Sequence, residues 1–168
     1  SEPAAYFLTW SCYGGGFPAT LGALFTVAAP SSAPSRCAIS SYVKFAAAKL
    51  GHPGITLSID ARAIVTRTIE DHCIHRGWTL EAVDVRTTHA HTIVRSPGRP
   101  PEPVLVQFKA WATRRIREAS MLSEDQVVWS EHGSTRYIWH ESDVLPAIRY
   151  VLEMQDAGGR YKPALCER

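Results

Sequence analysis

Three observations predict an α+β fold of the ferredoxin-like, split β-α-β type. The first stretch of the chain is rich in aromatic and β-branched residues, as strands are. Two later segments carry apolar residues at helical spacing, and short alternating segments flank them. The resulting order is strand, helix, strand, strand, helix, strand, which builds a central antiparallel sheet. One further helix at the C-terminal end is left to lie against that sheet.

Each element has its own justification. Residues 4–13, AAYFLTWSCY, form a strand that ends at Gly14, Gly15 and Gly16. Ser58 is an N-cap candidate, Asp60 suits the first-turn dipole, and Ile64, Val65, Ile69 and Cys73 recur at helical spacing up to Gly77. Segments 78–85 and 89–96 alternate and are joined by a short link, so they pair as an antiparallel hairpin. Pro101 and Pro103 open a second helix, in which Val104, Leu105, Phe108, Ala112 and Ile116 make an apolar stripe reaching about Ser120. Residues 134–141 are the next strand. Residues 142–156 are a helix capped near Ser142 or Asp143, with Pro146 in its first turn and Gly158 and Gly159 closing it.

Size and composition narrow the class. A chain of 168 residues is long enough for one domain with its own core over 1–168, with 14–55 as an insertion or irregular segment after the first strand. A net charge of +2 means that a polyanion must be held by a local basic patch. Cys12, Cys37, Cys73 and Cys166 are far apart and form no CxxC pair, which argues against a zinc ribbon or a disulfide scaffold and for reduced thiols in a cytosol. The apolar stretch at 17–30 is too short to span a bilayer and has no basic flank before it. It therefore reads as a loop or packed insertion, followed by a Pro/Ser-rich link at 30–36.

The segment RTTHAHTIVRS, residues 86–96, carries the sharpest chemical signal. Alternate strand residues share a face, so His89 and His91 sit roughly 7 Å apart along the strand, close enough to converge on one ion. With 7 histidines in 168 residues, a random chain carries roughly 0.3 His-x-His triplets. Taken alone, two partly buried histidines with ordinary hydrogen bonds explain the pair better than a metal does.

Context extends the motif. The blocks YFLTWSCYG, HCIHRGWTLEAVDVRTTHAHTIV, FKAWATRRIRE, HGSTRYIW and AIRYVLEMQ resemble the single-tyrosine HUH transposases, in particular the REP-associated tyrosine transposases. The resemblance covers most of residues 4–14 and 56–156. It implies that His89 and His91 are the HUH metal ligands and that Tyr150, on the C-terminal helix, is the nucleophile. The implied activity is a metal-dependent single-stranded DNA endonuclease and strand transferase. Tyr150 would attack a phosphodiester beside a DNA hairpin or palindrome, form a 5'-phosphotyrosine and free a 3'-hydroxyl, with Mg or Mn polarising the scissile phosphate. A neutral phenol is a weak nucleophile, and charge stabilisation on the phosphate oxygens offsets that weakness. The resemblance further implies a bacterial cytoplasmic, nucleoid-associated protein with no membrane partner, as monomer or homodimer.

A third metal ligand is less direct, because the position four residues after the tyrosine is Met154, where the family has a polar side chain. α-Helical geometry puts Glu153 about 60° and Gln155 about 140° from Tyr150, so Glu153 fits better unless the helix slips by one residue. A carboxylate or amide oxygen beside two imidazoles tilts the choice towards Mg or Mn.

Lys109, Arg114, Arg115 and Arg117 on the second helix either contact phosphates or form its solvated face. Arg136 is a candidate phosphate contact, and His132 reads as structural. Trp10, Trp111, Trp129, Tyr137 and Trp139 either stack on unpaired bases or fill the core. His72 and His75 suit packing or surface roles better than a metal site. Two other function classes keep parts of this pattern: a domesticated, non-catalytic nucleic-acid-binding module, and a small metal-dependent hydrolase that uses the histidine pair without the tyrosine.

Overall fold

A computed structural model describes residues 2–14 and 54–154, Met154 by its backbone alone. The apolar stretch at 17–30, the link at 30–36, Cys37, Gln155, Gly158, Gly159 and Cys166 lie outside the described residues. The elements are β1 (Ala5–Cys12), α1 (Ile59–Arg76), β2 (Thr79–Val85), β3 (His89–Arg95), α2 (Pro101–Glu118), β4 (Trp129–Ile138) and α3 (Glu141–Arg149), continued by a π-helical turn over Tyr150–Met154. The four strands form one sheet in the order β2-β3-β1-β4, and each neighbouring pair is antiparallel. That is the α+β, split β-α-β architecture expected from the order of periodicities.

Local chemistry explains the helix limits. The Ser58 hydroxyl accepts the Ala61 N–H at 3.1 Å and starts α1. Gly77, at φ 68°, closes it in the left-handed region, with its own N–H returned to the last turn. α2 opens on the prolines and has no side-chain cap.

α1 and α2 cover one face of the sheet. Leu8, Trp10, Ala90 and Val94 of the strands pack there against Val65 and Ile69 of α1 and against the stripe Val104, Leu105, Phe108, Ala112 and Ile116 of α2. Trp10 is 1% exposed and lies between Phe108 and Trp129. α3 and the π turn cover the other face, where Ala5, Phe7, Ala82, Ile93 and Ile138 meet Val144, Ala147 and Val151. Each large aliphatic side chain so buried stabilises the fold by roughly 2 kcal/mol.

Two elements differ from expectation. β4 starts at Trp129, five residues before the expected 134, and ends at Ile138. A register shift between Trp10 and Cys12 lets Trp129 pair with Cys12, and polar residues on an edge strand carry no clear alternation. The C-terminal helix starts at Glu141, and its N-cap, His140, makes no side-chain cap bond. Pro146 therefore falls in the second turn and not in the first. Its missing N–H and its ring loosen the helix just ahead of the π turn.

Candidate active site

The alternation of β3 sends His89, His91 and Ile93 to one face and Ala90 and Val94 to the other. Ile93 packs in the cluster under α3, so the histidine pair lies on the α3 face. The two imidazole centroids are 4.9 Å apart with planes at 85°. Backbone register fixes their neighbours: His91 stands opposite Thr9 on β1 and Asp84 on β2, and Ser11 stands opposite His89. The Thr9 hydroxyl is 2.9 Å from His91 Nδ1, and the Thr88 hydroxyl is 3.2 Å from His89 Nδ1. Asp84 holds the Nε of Arg86 at 2.6 Å.

His91 is 8% exposed. Burial, reinforced by the neighbouring His89, pushes its pKa down to about 4. The ring is therefore neutral at physiological pH, the state in which an imidazole binds a metal.

Tyr150 opens the π turn and packs at the edge of the same cluster. Phe7 links it to the histidines. The Phe7 ring stacks on His91 with centroids 5.9 Å apart and meets Tyr150 edge-on at 6.1 Å. His89, His91 and Tyr150 thus share one side of the sheet. π turns are frequent at functional sites.

Glu153 is exposed in the π turn. A π turn steps its hydrogen bonds from i to i+5, so the 60° offset of α geometry does not apply to Glu153. Gln155 lies outside the described residues. Among the described residues no group of three or more His, Cys, Asp or Glu side chains gathers closely enough to hold a metal ion. The two imidazoles fit a divalent cation by donor chemistry and shared face, and the rest of such an ion's coordination is left to other oxygen ligands.

The basic residues divide between the two faces. Arg136 is exposed and stands opposite Phe7 in the β1–β4 register, which places it on the α3 face. Lys109, Arg114, Arg115 and Arg117 belong to α2, on the opposite side. There Lys109 Nζ donates to the carbonyls of Ser130, Glu131 and His132 at 2.9, 3.3 and 3.1 Å. Arg114 and Arg115 both pair with Glu118, and Arg117 donates to the Gln126 carbonyl at 3.1 Å. His132 is exposed beside the groove between α2 and β4. Trp10 and Trp129 are core residues, whereas Trp111, Tyr137 and Trp139 are 39%, 42% and 53% exposed. His72 is buried, bonds Gln107 Oε1 at 3.0 Å through Nε2, and packs against Trp78, Phe108 and Trp111. His75 is exposed.

Phe7, Thr9 and Asp84 are neighbours of His91, and none of them carries a motif. Only strand register brings them there. Had the pairing of β1 with β3 been known, the alternation of YFLTW would have pointed to Phe7 and Thr9.

No family model matches the chain, and no curated protein matches it. Among solved structures, the fold is similar to that of a "putative transposase" from Deinococcus radiodurans R1, with a TM-score of 0.53, 12% identity and 90% of each chain covered. The REP-associated tyrosine transposase bound to a REP hairpin also matches, with a TM-score of 0.47, 12% identity, and 90% of this chain and 66% of that one covered. At such identity the likeness is one of fold. Among the described residues no helix is long and apolar enough to cross a membrane.

Proposed function

We propose that this chain is a transposase-like enzyme that nicks and rejoins single-stranded DNA beside a hairpin, with Tyr150 as the nucleophile and His89 and His91 as metal ligands. The observation that carries the reading is the placement of the histidine pair and the tyrosine on one face of the sheet, with Phe7 in contact with both His91 and Tyr150. The fold shared with the Deinococcus protein supports it, since that protein carries a transposase description.

In this reading the Tyr150 oxygen attacks the phosphorus of a phosphodiester, and the bond from phosphorus to the 3' oxygen breaks. A 5'-phosphotyrosyl bond forms, and the 3' oxygen leaves as a hydroxyl once it has gained the proton that the phenol gives up. One phosphodiester is exchanged for another, so the bond energy is kept for rejoining. His89 and His91 would hold a Mg or Mn ion, which would supply charge stabilisation on the phosphate oxygens. Glu153 and Gln155 are the first two side-chain oxygen donors that follow the tyrosine in sequence. Arg136, on the same face, is suited to hold a flanking phosphate. The unpaired strand beside the hairpin is the part a nucleophile can reach.

Covalent capture tests the proposal. Wild-type protein and Tyr150→Phe are incubated with labelled hairpin-bearing single-stranded DNA and Mn, then resolved on a denaturing gel. The expected result is a slower, protein-linked band in the wild type that is absent in Tyr150→Phe. No band across a broad set of hairpins, with DNA still bound, would favour the binding module. DNA cleavage undiminished in Tyr150→Phe would favour a hydrolase using the histidine pair.

A further inference from the structure

We propose that Thr9 is a positioning residue for His91: its hydroxyl accepts the Nδ1 proton, holds the ring as the Nδ1-protonated tautomer, and so leaves the Nε2 lone pair for a divalent cation. The inference rests on the metal reading above and assigns a role to a residue 82 positions away in sequence from the histidine it serves.

A neutral imidazole has one N–H and one lone pair, and the partner of one nitrogen decides what the other can do. The Thr9 hydroxyl lies 2.9 Å from His91 Nδ1. A hydroxyl can donate or accept, so that distance by itself leaves the tautomer open. The second ring supplies the discriminating observation. His89 also turns Nδ1 to a threonine hydroxyl, that of Thr88, at 3.2 Å, and the two rings are 4.9 Å apart. Each histidine thus spends Nδ1 on a threonine, and neither Nε2 has a protein hydrogen-bond partner among the described residues.

Were both protons on Nε2, two adjacent N–H donors on rings 4.9 Å apart would face no protein acceptor among the described residues, and no lone pair would be left for a cation. With both protons on Nδ1, each hydroxyl accepts, and two Nε2 lone pairs are left on one face of the sheet. That is the donor set a cation takes from a pair of histidines held by their outer partners. Thr9 is well placed to enforce the choice. It stands directly opposite His91 in the β1–β3 register, and its β-branched side chain has few χ1 states. Asp84, the residue opposite His91 on the other side, has its carboxylate engaged by Arg86 at 2.6 Å.

Two measurements on the full chain test this. Mn binding is followed by the electron paramagnetic resonance signal of the free ion for wild type, Thr9→Val, Thr9→Ser, His89→Ala and His91→Ala. The His91 tautomer in the metal-free wild type is read from its ring-nitrogen NMR shifts. The expected result is a loss of Mn affinity of about 10- to 100-fold in Thr9→Val, wild-type affinity in Thr9→Ser, and a proton on Nδ1 of His91. The proposal is overturned if Thr9→Val binds Mn like the wild type while His91→Ala has lost it, or if the wild-type proton resides on Nε2. If both His89→Ala and His91→Ala bind Mn like the wild type, the metal reading itself falls and takes this role with it. Should Thr9→Val fail to fold, the wild-type tautomer and Thr9→Ser still decide.

Discussion

Burial sets the charge of His91, and that has a cost in acid. Its folded pKa is lowered to about 4 from 6.5, by desolvation first and by His89 second. Between those values the unfolded chain binds more protons than the folded one, so stability rises with pH across the window. Metal-free protein should therefore lose stability as pH falls from about 6.5 towards 4 and lose no more below that. For this one ring the loss is on the order of 3 kcal/mol. Urea unfolding at pH 7 and pH 4.5 checks it, with His91→Gln expected to flatten the dependence. His72 is lowered in the same direction, chiefly by burial, so some slope should survive in the variant. Gly133 makes a second residue-scale prediction. A Cβ there would lie 2.7 Å from Leu105 Cδ2 and 2.9 Å from the Thr9 carbonyl oxygen. Leu105 can yield, but the Thr9 backbone cannot move without β1. Gly133→Ala should cost about 1–3 kcal/mol in urea unfolding.

At the scale of elements, the link between α3 and the sheet governs where Tyr150 sits. Arg95, at the end of the histidine strand, joins three segments. It donates Nε to Glu81 on β2, Nη1 to the Ala4 carbonyl at 3.2 Å, and both Nη groups to the Glu141 carboxylate in the first turn of α3. These partners hold its guanidinium even more firmly protonated, and Arg95 in turn lowers the Glu141 pKa. α3 is short, lacks a side-chain cap and contains Pro146, so little within the helix itself resists fraying. Arg95→Ala should speed amide exchange several-fold across residues 141–149 while leaving α1 protected, as measured by hydrogen–deuterium exchange. Under the proposed mechanism, the yield of covalent adduct should fall with it.

At the scale of the whole molecule, the sheet separates two kinds of surface. One face is sealed by α1 and α2, and the arginines of α2 pair with acids and carbonyls on that side. The other carries the histidine pair, Tyr150 and the exposed Arg136. If single-stranded DNA crosses the α3 face, Arg136→Ala should weaken its binding and reduce the salt slope by about 0.7, the share of one phosphate on a single strand. Arg114→Ala and Arg115→Ala should leave both unchanged. Fluorescence titration of a hairpin oligonucleotide over a range of salt concentrations checks this. Equal losses from both sets would place the DNA across the edge of the sheet instead.

Much of this was legible from residue order alone. Ser58 and Gly77 bound α1 because a cap needs a side-chain acceptor and a stop favours a residue tolerant of positive φ, and both are local demands. The α2 stripe is buried residue for residue as its spacing implied. The shared face of His89 and His91 follows from the two-residue period of a strand. Periodicity is blind to what lies opposite, however. It could not say that the histidine face is the one α3 covers, that Thr9 and Asp84 flank His91, or that Phe7 touches both His91 and Tyr150. Nor could it separate Arg136 from the arginines of α2, or show that Tyr150 begins a π turn and so loses the α spacing to Glu153. Those outcomes depend on strand register and helix packing. Both are settled between segments distant in sequence by the burial of apolar surface, and so belong to the tertiary structure.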